Sequence, residues 1–249
     1  MATANPAMSE AVYRRAGLAA TPTTVMTVRG AVLKTAVLVV ILLVAAGYTW
    51  SQAAAGAATV TYGLLVAGSI GGVLTALVTI FVPRVSPFTA PVYAALEGLV
   101  LGAISAVFEA QYPGIVIQAV GLSIGVLAVM LFVYGTGIIR ATEKFKIGVV
   151  AATGAVCLVY LVDVVASLFG TRLPFIHESG VVGIGFSLVV VVIAALNLIL
   201  DFDFIEQGVR QQAPKYMEWY GGFSLLVTLI WMYLEILRLL AKLRGGSRA

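Results

Sequence analysis

Gly180-Val-Val-Gly-Ile-Gly-Phe-Ser-Leu-Val-Val-Val-Val-Ile-Ala-Ala-Leu-Asn197-Leu-Ile-Leu200, followed at once by Asp201-Phe-Asp203-Phe-Ile-Glu206, is the stretch on which the fold turns. Gly180 to Leu200 contains no ionisable side chain. At about 20 residues it is long enough to cross a hydrocarbon core of about 30 Å as one helix. Carboxylates then stand where the run is expected to leave the membrane. A carboxylate there costs free energy, up to about 2.5–3.5 kcal/mol at full depth. Such residues are functional candidates, although interfacial caps are the simpler reading.

The rest of the chain repeats this pattern. Charged residues make up 10% of the 249 and apolar ones 61%, and the mean hydropathy is +1.07. A soluble domain carries roughly 25% charged residues, so an ordinary soluble fold is excluded. Apolar runs predict seven spans: 32–50, 59–82, 88–110, 114–138, 148–169, 179–200 and 218–241. The fold class is therefore all-α, a polytopic membrane protein with a seven-transmembrane-helix bundle. Residues 1–30 read as a disordered cytoplasmic tail without a signal peptide, 31–242 as the membrane domain, and 243–249 as a basic tail.

The net charge of +4 does not point to nucleic acid, because the basic residues sit in short loops and tails. Arg84, Arg140, Lys144, Lys146, Arg210 and Lys215 fall on alternate loops, while Ser51–Ala58 and Ala110–Pro113 carry no charge, and this excess on alternate loops places the N-terminus in the cytoplasm. Seven full spans would then carry Lys242, Arg244 and Arg248 to the far side, against the same rule. The last segment is re-entrant or buried in the bundle, or the tail departs from the rule. The lone Cys157 excludes an intramolecular disulfide. With His177 the only histidine, a His- or Cys-based zinc site is nearly excluded by counting, and no cofactor is expected.

Glycines recur four apart at Gly68 and Gly72, Gly98 and Gly102, and Gly121 and Gly125, spacings that let helix backbones approach closely. Packing inside the bundle is the simpler reading and a dimer interface the other, so a monomer and a small oligomer both stay open. Gly180-Val-Val-Gly183-Ile-Gly185 has no preceding strand and is not a dinucleotide loop.

Five acidic positions within or at the edge of spans stand out as candidates. Glu97, about ten residues into the third span, is the costliest by depth and is expected to be protonated or to turn toward polar partners inside the bundle. Asp163, near the end of the fifth, suits a snorkelling role. Asp201 and Asp203 point roughly 200° apart on a helix, so only one can face inward. Asn197 shares the side of Asp201 one turn earlier and builds a polar seam with it, whereas Asp203 shares a side with Arg210. Asp201 is therefore the expected inward residue. In the last span Thr228 and Glu235 are nearly eclipsed. Glu235 either pairs with Arg238 along the helix, or it or Thr228 faces Asp201. A shared carboxylate site titrates as a unit and responds to bound cations.

Ser86-Pro-Phe-Thr-Ala-Pro-Val-Tyr-Ala-Ala-Leu-Glu97-Gly-Leu-Val-Leu-Gly102 resembles the Glu-Gly-Leu-x-Leu-Gly signature of the Bax inhibitor family of membrane proteins. Leu200-Asp201-Phe-Asp203-Phe-Ile205 is similar to the family's Asp-Thr-Gln-x-Ile segment. The run from Phe223 through Thr228 and Glu235 to Arg238-Leu-Leu resembles its last helix, and the whole looks closest to a bacterial branch. The resemblance implies seven helices with the last held centrally, and a calcium leak gated by one aspartate in each of the last two helices. The first falls on Asp201. The second falls on Thr228, which cannot share a proton, and Asp203, Glu97 or Glu235 would have to substitute. Some bacterial relatives also lack the second aspartate and resemble modulators of a membrane protease.

The expected function is a pH-sensitive leak for calcium or other cations across the cytoplasmic membrane, with Asp201, Asp203, Glu97, Asn197, Thr228 and Glu235 as sensor and path. The alternative is a membrane-embedded modulator of a protease or stress-response partner. An enzyme is not expected: intramembrane aspartic proteolysis needs two facing aspartates, and the Gly-x-Gly-Asp pattern of such proteases is absent.

Overall fold

The structure is a computed structural model that describes residues 25–170 and 180–246. The last three residues of the expected basic tail, the first 24 of the expected N-terminal one, and the loop with His177 lie outside the described residues. Seven helices are long and apolar enough to cross a membrane. They are α1 (Val28–Ala54), α2 (Ala58–Phe81), α3 (Ser86–Gln111), α4 (Ile115–Gly135), α5 (Glu143–Leu168), α6 (Val181–Arg210) and α7 (Met217–Gly246). A single 3-10 turn, Pro83–Val85, joins α2 to α3.

Several boundaries move from their expected places, three of them with a visible cause or consequence. The first helix begins at Val28, because Thr27 caps it by accepting from the Gly30 amide at 3.0 Å. The sixth does not stop at Leu200 but continues to Arg210. Nothing in Asp201–Glu206 breaks a helix, and the next proline is Pro214. It ends when Gln212 adopts φ 51°. The Ala213 amide then bonds to the Gly208 carbonyl and the Gln212 amide to Val209, satisfying carbonyls the last turn would orphan. The last helix is continuous from Met217 to Gly246, so a re-entrant segment is not what is built.

Several hydroxyls within the spans are satisfied by their own helices. Thr35 donates to the Ala31 carbonyl, Thr75 to Gly71 and Thr153 to Val149, each one turn back. In hydrocarbon, where no water is available, that local bond lets a hydroxyl be carried cheaply.

The chain divides into two packing units. In the first, formed by the described chain up to Gln111 with Asp201–Val227, α3 lies against both α1 and α2. Glycine makes this possible. A Cβ on Gly98 or Gly102 would run into the Leu42 or Ala46 carbonyl of α1, and one on Gly68 would lie 2.7 Å from the Leu96 carbonyl of α3. Two of the three small-residue pairs thus serve packing within the unit. An aromatic cluster closes the core, with Tyr93 of α3 edge-on to Phe223 of α7 at 4.9 Å between centroids.

The second unit combines Tyr112–Leu200 with Thr228 onward. Its buried apolar side chains include Ile115, Val149, Leu198, Met232 and Leu237. Gly121 and Gly125 of α4 meet no neighbouring atom within 4 Å of a Cβ placed on them. Of the apolar window in α7, 56% is buried, against 11% in α4 and in α5. The last helix is accordingly the most enclosed of the seven.

Candidate functional site

Asp201 stands on the inward side of α6 and is fully buried, at 0% exposure. Its Oδ1 accepts a hydrogen bond from Ser224 Oγ of α7 at 2.8 Å. Both groups belong to the first packing unit. The expectation that Asp201 is the inward carboxylate of its pair holds in the structure. Ser224, its partner, is a residue the sequence reading missed. The signal was there: Ser224, Thr228, Glu235 and Lys242 recur at spacings of four and seven, which line one side of a helix.

Asp203 is half-buried and accepts from Gln207, one turn on. Its expected companion Arg210 pairs instead with Glu206. Gln207 and Glu206 win because each lies one turn from its partner, where side chains meet, whereas Asp203 and Arg210 are two turns apart.

Asn197 corrects a second expectation. It does share the inward side of α6, but its amide donates to Thr153 Oγ1 of α5 and to the Ile193 carbonyl, both at 2.8 Å. Both amide hydrogens are used there, so the seam it builds runs to α5 and not to Asp201.

Glu97 lies half-buried in the first unit, turned toward α2. A Cβ on Gly72 would come within 2.7 Å of its Oε1, so glycine at that position leaves room for the carboxylate. No hydrogen bond links Glu97 to Asp201, which makes it a separate polar feature of the α2–α3 contact.

In the second unit Glu235 is 2% exposed. Its Oε1 accepts from Tyr160 of α5 at 2.8 Å and from Arg238 at 2.7 Å. Arg238 also donates to Tyr160 Oη at 2.6 Å and lies over its ring. The intrahelical Glu235–Arg238 pair is therefore formed, with a tyrosine from α5 closing it into a triangle. Glu235 Oε2 is buried and has no hydrogen-bond partner among the described residues. Thr228 is buried on the same side of α7. Asp163, expected to snorkel, is buried instead, one turn beyond Tyr160 on the packed side of α5.

A further carboxylate was not singled out by sequence. Glu218, in the first turn of α7, is 1% exposed. Its Oε1 accepts from the Thr27 amide, from Thr27 Oγ1 and from Lys215 Nζ, at 3.0, 2.8 and 2.7 Å. Beside it the Met26 amide donates to the Ala213 carbonyl, and Val25 forms an isolated bridge with Pro214. The start of α1 is thus strapped to the loop between α6 and α7. In that loop the Tyr216 carbonyl accepts from Ser86. Burial raises the Tyr216 phenol above its ordinary range, partly offset by a hydrogen bond from Arg84.

Among the described residues no three His, Cys, Asp or Glu side chains converge as metal ligands. Calcium ordinarily takes six to eight oxygens, so single carboxylates such as Asp201 could support only weak, passing contact with a cation.

Seven long apolar helices, an enclosed last helix and buried carboxylates inside the spans define an integral, multi-pass membrane protein. The sequence model of the family described as Bax inhibitor 1 like matches residues 5–245, nearly the whole chain, and the protein belongs to that family. No curated protein and no solved structure matches the chain significantly.

Proposed function

We propose that this protein is a passive, pH-responsive cation leak of the Bax inhibitor type, with calcium as a permeant ion and Asp201 as its gate. It would reside in the cytoplasmic membrane with its N-terminus in the cytoplasm. The observation that carries the reading is the fully buried Asp201 carboxylate, held by the Ser224 hydroxyl across the α6–α7 contact. Charge on a buried carboxylate is costly unless it is hydrogen-bonded or neutralised by a cation or proton. The stability of this contact therefore depends on what Asp201 binds, and a proton and a passing cation compete for it.

A paired-aspartate latch does not fit this chain, because Thr228 cannot titrate. The gate we propose is a single carboxylate on a hydroxyl partner.

Calcium uptake into liposomes containing the purified full chain, from about pH 6 to 8, tests this, with Asp201→Asn beside it. The expected outcome is a leak whose pH response is lost in the variant. A pH response that survives in Asp201→Asn would move the sensor elsewhere. No flux at any pH from folded protein would overturn the leak and favour the partner-modulating alternative.

A further inference from the structure

Lys242 is the one buried lysine among the described residues, at 5% exposure, in the last turns of α7. Its ammonium donates to the Gly183 carbonyl at 2.9 Å and to Ser187 Oγ at 2.8 Å, both on α6 and both in the second packing unit. Gly183 and Ser187 are buried as well. No carboxylate oxygen among the described residues lies within ion-pair distance of it. The nearest carboxylate along α7, Glu235, gives its Oε1 to Arg238 and Tyr160.

As a packing residue this is a poor choice. A buried ammonium whose hydrogen bonds go only to neutral oxygens costs more than an apolar side chain of similar volume. The escape is close at hand, because α7 ends at Gly246 and a lysine stem readily reaches the membrane surface from one turn inside a helix end. Lys242 instead turns inward. Arg244, two residues on, does reach outward, to the Pro113 carbonyl at 2.8 Å and Gln118 Oε1 at 2.8 Å.

The seat the ammonium fills has the chemistry of a cation site. A backbone carbonyl and a hydroxyl are hard, neutral oxygen donors of the kind that replace a cation's water. Seven residues deeper on the same side of α7, about 10 Å along the axis, lies the buried Glu235 Oε2 that no described group satisfies.

We propose that Lys242 is a tethered cation that occupies a seat on the ion path and restrains the leak. The idea rests on the cation-leak reading. The plug does not require Asp201 to be the gate, because the seat and the Asp201–Ser224 contact share no residue. Removing the ammonium empties the seat for a free cation, and weakening the seat makes the ammonium leave it more often.

Calcium uptake by proteoliposomes of the full chain tests the plug, comparing wild type, Lys242→Ala and Ser187→Ala at equal reconstituted protein. Lys242→Ala is expected to leak several-fold faster than wild type, and Ser187→Ala to fall between them. Butylammonium, which matches the deleted stem and head group, is expected to restore the block in Lys242→Ala with a saturating dose dependence and to leave wild type unchanged. A wild type that is silent while Lys242→Ala leaks and is blocked by butylammonium also supports the plug. Wild-type flux that Lys242→Ala leaves unchanged or lowers would overturn the plug and leave the leak standing. A faster leak in Lys242→Ala that butylammonium does not suppress would overturn it too, since it would report loosened packing. Silence in every variant, with each confirmed folded, would remove the leak reading and the plug with it.

Discussion

Asp201 and Glu218 are buried to almost the same degree, yet their surroundings assign them different work. Glu218 Oε1 collects an amide, a hydroxyl and a lysine, so its charge is anchored. Lys215 is half exposed and adds little; the Thr27 donors carry most of the effect. Glu218→Ala is expected to cost about 2 kcal/mol, the range of hydrogen bonds to a charged group. It would register as a lower melting temperature in detergent, and Glu218→Gln would recover part of it. A variant as stable as wild type would show that the strap between α1 and the α6–α7 loop contributes nothing. Asp201 is held by a hydroxyl on a neighbouring helix. The loss of its pH response on changing to asparagine is the functional counterpart at this scale.

At the scale of elements, the three glycine pairs look alike in sequence but separate in the structure. Gly98 and Gly102 bring the α3 backbone against carbonyls of α1, whereas Gly121 and Gly125 face open space. Backbone carbonyls cannot step aside as a flexible side chain can. Gly98→Leu is thus expected to lose the α1–α3 contact and fail to purify as a monodisperse species, while Gly121→Leu behaves as wild type on size exclusion. If both variants behave alike, the assignment of these faces is wrong. The spacing alone could not separate them, because it says that a helix has a smooth side and not what lies across from it.

At the scale of the whole molecule, the described residues hold seven candidate spans, an odd number, which predicts termini on opposite sides of the membrane. Paired topology reporters at the two ends check this, and reporters on the same side would mean that one helix does not cross. The basic C-terminal end, awkward by loop-charge counting, acquires a physical account. Lys242 is drawn inward to α6, and Arg244 is engaged by the Tyr112–Pro113 turn and Gln118. Neither behaves as a freely solvated topological signal. The second unit also exposes long apolar faces on α4 and α5, including Ile117, Ile124, Leu158 and Leu161, as lipid-facing helices do.

Sequence by itself determined the class of fold and the number and order of the helices, because hydrocarbon admits few backbone solutions and runs of about 20 apolar residues announce one of them. It also identified Asp201 as the inward member of its pair, since helical geometry lets only one of two residues two apart face the core. The partners it could not supply. That Asp201 meets Ser224, that Asn197 is spent on Thr153, that Tyr160 completes the Glu235–Arg238 pair, and that Lys242 points in rather than out, were decided by tertiary structure. Each depends on which side of a second helix lies opposite. In a chain where nearly every surface is apolar, hydrophobic periodicity scarcely marks that side, so packing and hydrogen-bond satisfaction had to choose it.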